Sequence, residues 1–470
     1  MPMPAYFYQW LEHVPDLLGL SHSDPDGFPY LLESAAGGAL GGHSLLLHAA
    51  GPALVAQPGN RISGPGKGDT FFDRLDSWFR QQAETVPDVT RLRSDGLPFV
   101  GGWFIYLGFE MAAEIEPTLK MPPAPTGLPD AVAQRCPGAV IVLHGSGRQG
   151  KDRAVVVAET AGLLELLLER VSTAPVSERT RLPKADPGLE CVLEEDPIRF
   201  KTSVQRIHQY LRAGDTFQVN VSRPWRGRFH GAPDPYRLYE SLRCANPAPF
   251  AGLMRWQDRF LLSSSPERLV QVQGRMVQTR PIAGTRPRGR DSEHDRALSA
   301  ELISNLKERA EHVMLIDLER NDLGRVCQPG TVEVNELMVV ETYAHVHHIV
   351  SNVRGRLVAG ATPVDAMKAV FPGGTITGCP KVRCMEIIAE LEGEGRGFYT
   401  GSMGYLGRDG NMDLNILIRS MLVHGRDFGF RTGAGIVADS DPEQEVLETA
   451  DKARGMLLAL ESHGREKMYA

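Results

Sequence analysis

The sequence lacks the features that mark membrane, secreted and zinc-structured proteins. It contains no run of about 18 apolar residues, the length that a membrane-spanning helix needs. Its start, MPMPAYFYQW, has no basic segment followed by an apolar one. Its six cysteines include no C-x-x-C pair, which argues against a disulfide framework and a structural zinc site. We therefore expect a cytoplasmic protein with reduced thiols and no membrane partner.

The sequence also lacks an excess of positive charge. It has 51 lysines and arginines against 58 aspartates and glutamates, which gives a formal net charge of -7. Proteins that bind nucleic acids usually carry a basic patch or a high isoelectric point, so we expect no nucleic-acid partner. Local arginines can still bind a small anion. With 42% hydrophobic residues in a chain of 470, a sizeable core can form.

The chain divides into two regions of different pattern. Up to about Gly150, short alternating runs between glycine and proline clusters predict antiparallel strands. From about Asp196, longer helices alternate with stronger strands; one predicted helix ends at Gly214 and the last begins at Pro442. We predict an α+β protein in which antiparallel sheets pack together with helices outside. The predicted domains are residues 1–180 and 190–465, joined by a polar linker.

Acidic residues recur three positions apart on two predicted helices. Glu308 and Glu311 lie on one helix, and Glu445 and Glu448 on the other, with Lys452 four residues further on. Residues at i and i+3 share a helix face, so each pair can direct two carboxylates to one point. Mg²⁺ prefers such oxygen ligands. A solvated helix face is the alternative for each pair.

Two segments combine glycines with positive charge, RPIAGTRPRG from Arg280 and FPGGTITGCPKVR from Phe371. Glycine lets backbone N–H groups approach an anion, which the basic side chains can then bind, although either segment is also compatible with a simple turn. Glu267 follows a proline at a predicted strand end and is either a general acid or an exposed glutamate. The run HVHH from His345 predicts a strand with one inward histidine rather than a metal cluster.

Taken together, these motifs resemble those of chorismate-utilising enzymes. SSSPERL, RPIAGTRPRG, AEHVMLIDLERNDLGRV, HHIVS, FPGGTITGCPKVR, GAGIVADSDP and ETADKA occur in that order. Within the family the chain resembles component I of aminodeoxychorismate synthase and, slightly less, component I of anthranilate synthase. The resemblance implies the anthranilate synthase component I-like fold, with residues 190–465 as the catalytic domain and the active site in a central cleft.

The resemblance implies a role for each candidate residue. Glu311 and Glu448 would bind Mg²⁺ directly, Glu308 and Glu445 would reach it through water, and the ion would hold the ring carboxylate of chorismate. Glu267 would protonate the leaving C4 hydroxyl, with His348 and Thr375 beside the ring. The groups that bind the substrate carboxylates would be Tyr399, Arg419, Lys452 and the backbone of Gly433, Ala434 and Gly435.

Two positions bear on the nucleophile. Relatives that form isochorismate or salicylate carry a lysine at the position of Gln218, where it activates water. An amide cannot act as this base, so ammonia is the expected nucleophile. Many aminodeoxychorismate synthases have a lysine at Ala283, thought to attack C2, whereas anthranilate synthases have alanine. Gly284 and Thr285 beside it would touch the ligand.

The resemblance implies magnesium-dependent amination of chorismate to 4-amino-4-deoxychorismate in folate synthesis. HHIVS, FPGGTITG and GNMDLNILIRS favour this branch, whereas Ala283 favours the alternative products, anthranilate and pyruvate. Because the sequence has no G-x-C-x-G motif, ammonia is expected from a separate glutamine amidotransferase subunit. A non-catalytic chorismate or tryptophan sensor is the alternative outside the enzymes. LLESA and NPAPF resemble a tryptophan pocket formed by Leu32, Glu33, Ser34, Asn246, Pro247 and Phe250.

Overall fold

The structure is a computed structural model, and it describes residues 6–36, 41–59, 61–86, 89–145, 150–173, 187–342 and 346–462. Its helices are α1 (Leu17–Ser23), α2 (Phe71–Ala83), α3 (Thr90–Ser94), α4 (Ala112–Ile115), α5 (Ala161–Thr173), α6 (Pro197–Ala213), α7 (Pro235–Ala245), α8 (Ser292–Ser304), α9 (Leu306–Gly324), α10 (Pro363–Val370), α11 (Lys381–Glu392) and α12 (Pro442–Ser462).

The strands are β1 (Phe7–Trp10), β2 (Tyr30–Glu33), β3 (His43–His48), β4 (Ala53–Gln57), β5 (Arg61–Ser63), β6 (Gly102–Leu107), β7 (Ala131–Cys136), β8 (Gly138–Leu143), β9 (Arg153–Ala158), β10 (Leu189–Glu194), β11 (Gln218–Phe229), β12 (Phe250–Trp256), β13 (Arg259–Ser265), β14 (Arg268–Gln273), β15 (Met276–Thr279), β16 (Ile282–Pro287), β17 (Glu333–Thr342), β18 (Val346–Arg356), β19 (Gly378–Cys379), β20 (Ser402–Gly407), β21 (Met412–Asn415), β22 (Ser420–His424) and β23 (Asp427–Ile436).

These strands form two antiparallel sheets. The first has the order β1-β9-β8-β3-β2-β12-β13-β22-β23-β11-β10, with β19 paired to β11. The second has the order β16-β18-β15-β14-β21-β20-β6-β7-β4-β5, with β17 paired to β18. Strands from the two predicted domains are neighbours in both sheets, because β2 pairs with β12 and β6 pairs with β20. The predicted linker falls largely on residues 174–186, outside the described residues.

The two sheets pack face to face over an apolar layer. Tyr30 and Leu261 of the first sheet meet Phe104 and Tyr405 of the second in this layer, and the rings of Tyr30 and Phe104 stack with centroids 3.9 Å apart. Helices α7 and α12 cover the outer face of the first sheet, and α2 and α10 that of the second. The predicted α+β architecture of packed antiparallel sheets with outer helices is therefore confirmed.

Two predicted helices have the expected ends. Asp196 caps α6 by accepting a hydrogen bond from the Ile198 N–H at 2.9 Å, and Gly214 ends α6 in the left-handed region. The last helix, α12, begins at Pro442 as predicted. Residues 292–324 form two helices, α8 and α9, because Asn305 between them adopts an extended backbone and its side chain accepts from the Glu308 N–H at 3.1 Å.

The cleft forms where the chain crosses from one sheet to the other. Strand β13 belongs to the first sheet and β14 to the second, and Pro266 and Glu267 lie in the link between them. Proline cannot donate a ladder hydrogen bond, which explains why SSSPERL changes sheets there. Arg419 lies in a second crossing, from β21 to β22. The Ile416 N–H donates to the Glu267 carbonyl at 3.0 Å and joins the two crossings.

Candidate active site

Glu267 is buried in this cleft with an unpaired carboxyl oxygen. Its Oε1 has no hydrogen-bond partner among the described residues, and the residue is 5% exposed. Burial raises the pKa of Glu267 to about 7, which the nearby Thr375 hydroxyl, the Ile282 amide and Lys452 only partly oppose. Thr375 Oγ1 also lacks a hydrogen bond of normal geometry in the described chain. A large share of Glu267 is therefore protonated at neutral pH, as a general acid requires.

Arg419 is an unpaired cation in the same cleft. Its guanidinium forms no ion pair or hydrogen bond with any side chain that the structure describes. Burial lowers its pKa, an effect that the nearby Tyr399 opposes. Its backbone has φ of 52°, in the left-handed region that non-glycine residues rarely adopt. Arg419 is half-buried, and because a charge withdrawn from water without a partner is costly, this arginine is suited to bind an anionic ligand.

Lys452 and two glycines of β23 form another wall of the cleft. Lys452 Nζ donates to the Gly433 carbonyl at 2.9 Å and to Glu448 Oε1 at 2.6 Å. A Cβ on Gly433 would lie 2.8 Å from the Tyr399 hydroxyl, and a Cβ on Gly435 would overlap Gln218 Nε2. Glycine is therefore required at both positions for these polar groups to sit against the strand.

Alternate residues of β23 face opposite sides of the sheet. Ala434 accordingly points its side chain into the apolar cluster that includes Val219, away from Gly433 and Gly435. Only the backbone of Ala434 can therefore contribute to the cleft.

The amide of Gln218 lies beside Gly435 and is 7% exposed. Its Oε1 has no partner within the described residues, and the same is true of Asn220 Oδ1. Asn220 was missed by the sequence analysis, although it lies two residues after Gln218 and therefore on the same face of β11. Both amides can contact a ligand, and neither can act as a base.

Strands β16 and β18 form the side of the cleft that carries Ala283 and His348. His348 pairs with Thr285 across the two strands; the side chain of Thr285 lies outside what the structure describes. Burial and the positive charge of Arg419 lower the pKa of His348 to about 4, so this imidazole is neutral at pH 7. A Cβ on Gly284, which has φ of 58°, would collide with the carboxylate of Glu308.

The HVHH run confirms its predicted strand, but the prediction of one inward histidine is wrong. His347 and His348 are both buried, and His345 lies outside the described residues. The reason is that α8 covers the second face of β18, where Asp295 Oδ1 lies 2.9 Å from His347 Nε2.

The predicted metal ligands lie on two separate helices. Helix α9 packs on β16 and β18, whereas α12 packs on β23. Glu308 Oε1 pairs with Arg286 at 2.7 Å, and its Oε2 is buried without a partner in the described chain. Glu448 pairs with Lys452, while Glu311 is half-buried and Glu445 buried. Within the described ranges, no three acidic, histidine or cysteine side chains lie close enough together to hold a metal ion.

The predicted tryptophan pocket is formed in part. Leu32, Glu33 and Phe250 line a cavity of about 50 Å³, together with residues such as Met403 and Tyr405. Ser34, Asn246 and Pro247 are not part of its lining. Glu33 is held by Arg243 at 2.7 Å and by the Tyr239 hydroxyl at 2.8 Å.

None of the helices in the described part of the chain has both the length and the apolar sequence needed to cross a bilayer.

Comparison with known proteins identifies the family. A family model described as chorismate binding enzyme matches residues 45–458. Anthranilate synthase component 1 of Cereibacter sphaeroides is 39% identical, with 95% of this chain and 92% of that protein covered. Aminodeoxychorismate synthase component 1 of Bacillus subtilis is 46% identical over 68% of this chain and 66% of that protein.

A solved structure agrees with the family match. Anthranilate synthase component I from Streptococcus pneumoniae is 31% identical with a TM-score of 0.76, and the comparison covers 89% of this chain and 93% of that one. The menaquinone-specific isochorismate synthase MenF of Escherichia coli is 18% identical with a TM-score of 0.72, covering 97% of this chain and 95% of that one, which is a likeness of fold alone. The chain therefore belongs to the chorismate-binding enzyme family.

Proposed function

We propose that this protein aminates chorismate with ammonia to give 4-amino-4-deoxychorismate and water. The observation that carries the proposal is the state of Glu267, a buried carboxyl group with a pKa of about 7 and an unpaired oxygen. Such a group can protonate a leaving hydroxyl at neutral pH. A non-catalytic sensor of chorismate or tryptophan would not need a buried proton donor beside a free cation.

The cations of the cleft suit a substrate with two carboxylates. Arg419 has no partner among the described side chains and would bind one carboxylate with its planar fork of N–H donors. Lys452 is held at the Gly433 carbonyl by a 2.9 Å hydrogen bond and would add a second positive charge. Tyr399 and the backbone of β23 would complete the contacts.

The cleft favours ammonia over water as the nucleophile. Water needs a base to remove a proton, and Gln218 offers an amide. Ammonia is already nucleophilic when neutral and needs no such activation. The protonated Glu267 would give its proton to the C4 hydroxyl, which leaves as water, and the neutral His348 and Thr375 would contact the ring nearby.

The proposal assigns Mg²⁺ to acidic residues of α9 and α12, although no three of these side chains converge in the described structure. Glu308 and Glu311 of α9, with Glu445 and Glu448 of α12, would hold the ion, and the buried unpaired Oε2 of Glu308 is an oxygen donor of the kind Mg²⁺ prefers. When bound, the ion would neutralise a carboxylate of the substrate.

Anthranilate, formed with release of pyruvate, is the second candidate product. Ala283 favours it, because this position lacks the lysine found in many aminodeoxychorismate synthases. Relatives named anthranilate synthase component 1 also recur among the similar proteins. The segments HHIVS, FPGGTITG and GNMDLNILIRS support the first candidate. For either product, ammonia would come from a separate glutamine amidotransferase subunit in the cytoplasm.

Product identification tests the proposal directly. The purified chain is incubated with chorismate, Mg²⁺ and ammonium, with and without aminodeoxychorismate lyase, and the products are separated by chromatography. We expect para-aminobenzoate that depends on the lyase. Anthranilate formed without the lyase would establish the second candidate. Chorismate that remains unchanged in the presence of Mg²⁺ and ammonium would contradict both amination reactions.

A further inference from the structure

A second buried carboxyl group, Glu319 of α9, lies close to Glu267. Glu319 is 6% exposed and forms no ion pair with the side chains that the structure describes. Burial and the neighbouring Asp322 raise its pKa, and the charge of Glu267 contributes in the same direction. Two like charges at short range in a buried site disfavour each other, so the two glutamates resist being ionised at the same time and one of them stays protonated.

Two chain segments run past both carboxyl groups. In the first, Gly374 packs on α9, where an added Cβ would lie 3.4 Å from Glu319 Oε1, and the next residue, Thr375, approaches Glu267. In the second, Thr279 lies beside Glu319, and Ile282 directs its amide toward Glu267. The same two chain segments therefore lie beside both glutamates.

Each glutamate is accompanied by a buried threonine hydroxyl. Thr279 lies beside Glu319 and Thr375 beside Glu267, and each hydroxyl favours the ionised form of its glutamate. A hydroxyl group can accept and donate a proton at once. A hydroxyl beside each protonatable carboxyl group can therefore pass a proton along.

The cluster ends at an ion pair near the surface. Lys381 of α11 donates to Asp322 Oδ2 and to the Val370 carbonyl, the latter at 3.1 Å. The Lys381 side chain is 13% exposed, compared with 4% for Asp322. The charged groups that act on Glu319 are Asp322 on its own helix, Lys381 on α11 and Glu267 in the crossing. Solvent can therefore exchange protons at the Lys381 end.

We propose that Glu319 is a positioning residue that returns a proton to Glu267 after each turnover. When Glu267 protonates the C4 hydroxyl, its O–H bond breaks and water leaves. The proton of Glu319 then moves to the Glu267 carboxylate through the threonine hydroxyls, and solvent restores the proton on Glu319. The proton that ammonia loses on becoming an amine enters solvent, so the cycle has no net change. The inference rests on the proposed function only in that Glu267 supplies a proton.

The test is the time course of product formation by Glu319→Gln, a variant of similar shape that has no acidic proton. The reaction is started at pH 6, below the Glu267 pKa of about 7, so most molecules begin with this proton in place and the first turnover should keep the wild-type rate. Later turnovers should slow by about 10- to 100-fold, less than the full contribution of general acid–base catalysis. Rapid-quench measurements should therefore show a burst of about one product per site, with kcat/KM for chorismate unchanged because the slow step follows product formation. Asp317→Asn, an exposed change on the same helix, should retain the wild-type time course.

Two results would overturn the role of Glu319. One is a wild-type steady-state rate in Glu319→Gln, and the other is an equal loss in first and later turnovers, which a structural role would give. If Glu319→Gln does not fold, Thr279→Val is used instead, because it removes only one hydroxyl of the proposed proton route and should give the same burst. A time course for Thr279→Val that is linear and as fast as that of the wild type would contradict the route. A wild-type protein that does not consume chorismate would instead contradict the proposed function.

Discussion

At the scale of single residues, the proposed chemistry depends most on Glu267. Glu267→Gln keeps the shape and hydrogen-bonding capacity of the side chain but cannot deliver a proton. We expect kcat to fall by about 10²- to 10⁴-fold, the usual contribution of a general acid. Chorismate should still bind, because Arg419 and Lys452 are unchanged. Steady-state kinetics and calorimetric titration measure the two effects, with Glu333→Gln on exposed β17 as the control. A near-wild-type kcat would remove Glu267 from the acid role.

The same substitution should change how stability depends on pH. The folded-state pKa of Glu267, about 7, lies above the value of roughly 4.3 for a glutamate in an unfolded chain. The folded protein therefore binds more protons between these values, and its stability falls as pH rises through this window, by about 1.4 kcal/mol per pKa unit. The glutamine in Glu267→Gln does not titrate, so the variant does not lose stability in this way. Its melting temperature relative to wild type should rise from pH 5 to pH 8, whereas a constant difference would contradict the raised pKa.

At the scale of elements, strand β23 is a surface that requires glycine. In Gly433→Ala the new Cβ would lie 2.8 Å from the Tyr399 hydroxyl and 2.7 Å from the Val221 carbonyl. We expect kcat/KM for chorismate to fall by about tenfold or more, equivalent to roughly 1.4 kcal/mol of lost transition-state binding. Gly429→Ala on the same strand is the matched control, since its nearest neighbour would be the Trp225 carbonyl at 3.6 Å. Equal effects of both changes would indicate a general weakening of the strand.

Helix ends that depend on local residues were predictable from the sequence. The assignment of each strand to one of the two sheets was not. The ends of α6 follow from Asp196, Pro197 and Gly214, whose effects are local. The division of α8 from α9 depends on one residue, Asn305, whose side chain caps the second helix. Which sheet receives a strand depends on packing across the whole molecule, so the crossing at Glu267 had no signal beyond Pro266.

The candidate site was predictable mainly through resemblance. Spacing alone left each carboxylate pair open between a metal site and a solvated face, because helix periodicity gives the direction of a side chain but not its neighbours. The structure shows that Glu308 lies against Gly284 and pairs with Arg286, so it is not on a solvated face. Asn220 was missed because an isolated asparagine in a strand has no distinguishing pattern until its neighbours are known.

At the scale of the whole molecule, a buried ion network stabilises the wall behind the site. Glu392, at the end of α11, accepts hydrogen bonds from the Ser222 N–H at 2.8 Å and from the guanidinium groups of Arg396 and Arg431 at 2.7 and 3.0 Å. Arg396 also donates to the Asn220 carbonyl at 2.7 Å. The Glu392 and Arg396 side chains are both 1% exposed. The network therefore joins α11 to β11 and β23 beside Gly433.

Removing the charge of Glu392 should destabilise the protein and loosen the site together. Glu392→Gln leaves the buried guanidinium group of Arg396 without its carboxylate, while Arg431 keeps its second partner, Glu394, at 2.7 Å. Breaking a buried ion pair by removing one partner typically costs about 3–5 kcal/mol. Arg396 and Arg431 lower the pKa of Glu392, so its contribution is present above the unfolded-state pKa and is lost as pH falls through the lower folded-state value. Urea unfolding of Glu392→Gln at pH 7 should show this loss. Glu386→Gln removes an exposed pair on the same helix, worth about 0–1 kcal/mol. If Glu392→Gln and Glu386→Gln lose similar unfolding free energy, water already reaches the buried network. In that case the network does not hold β11, β23 and the cleft in place.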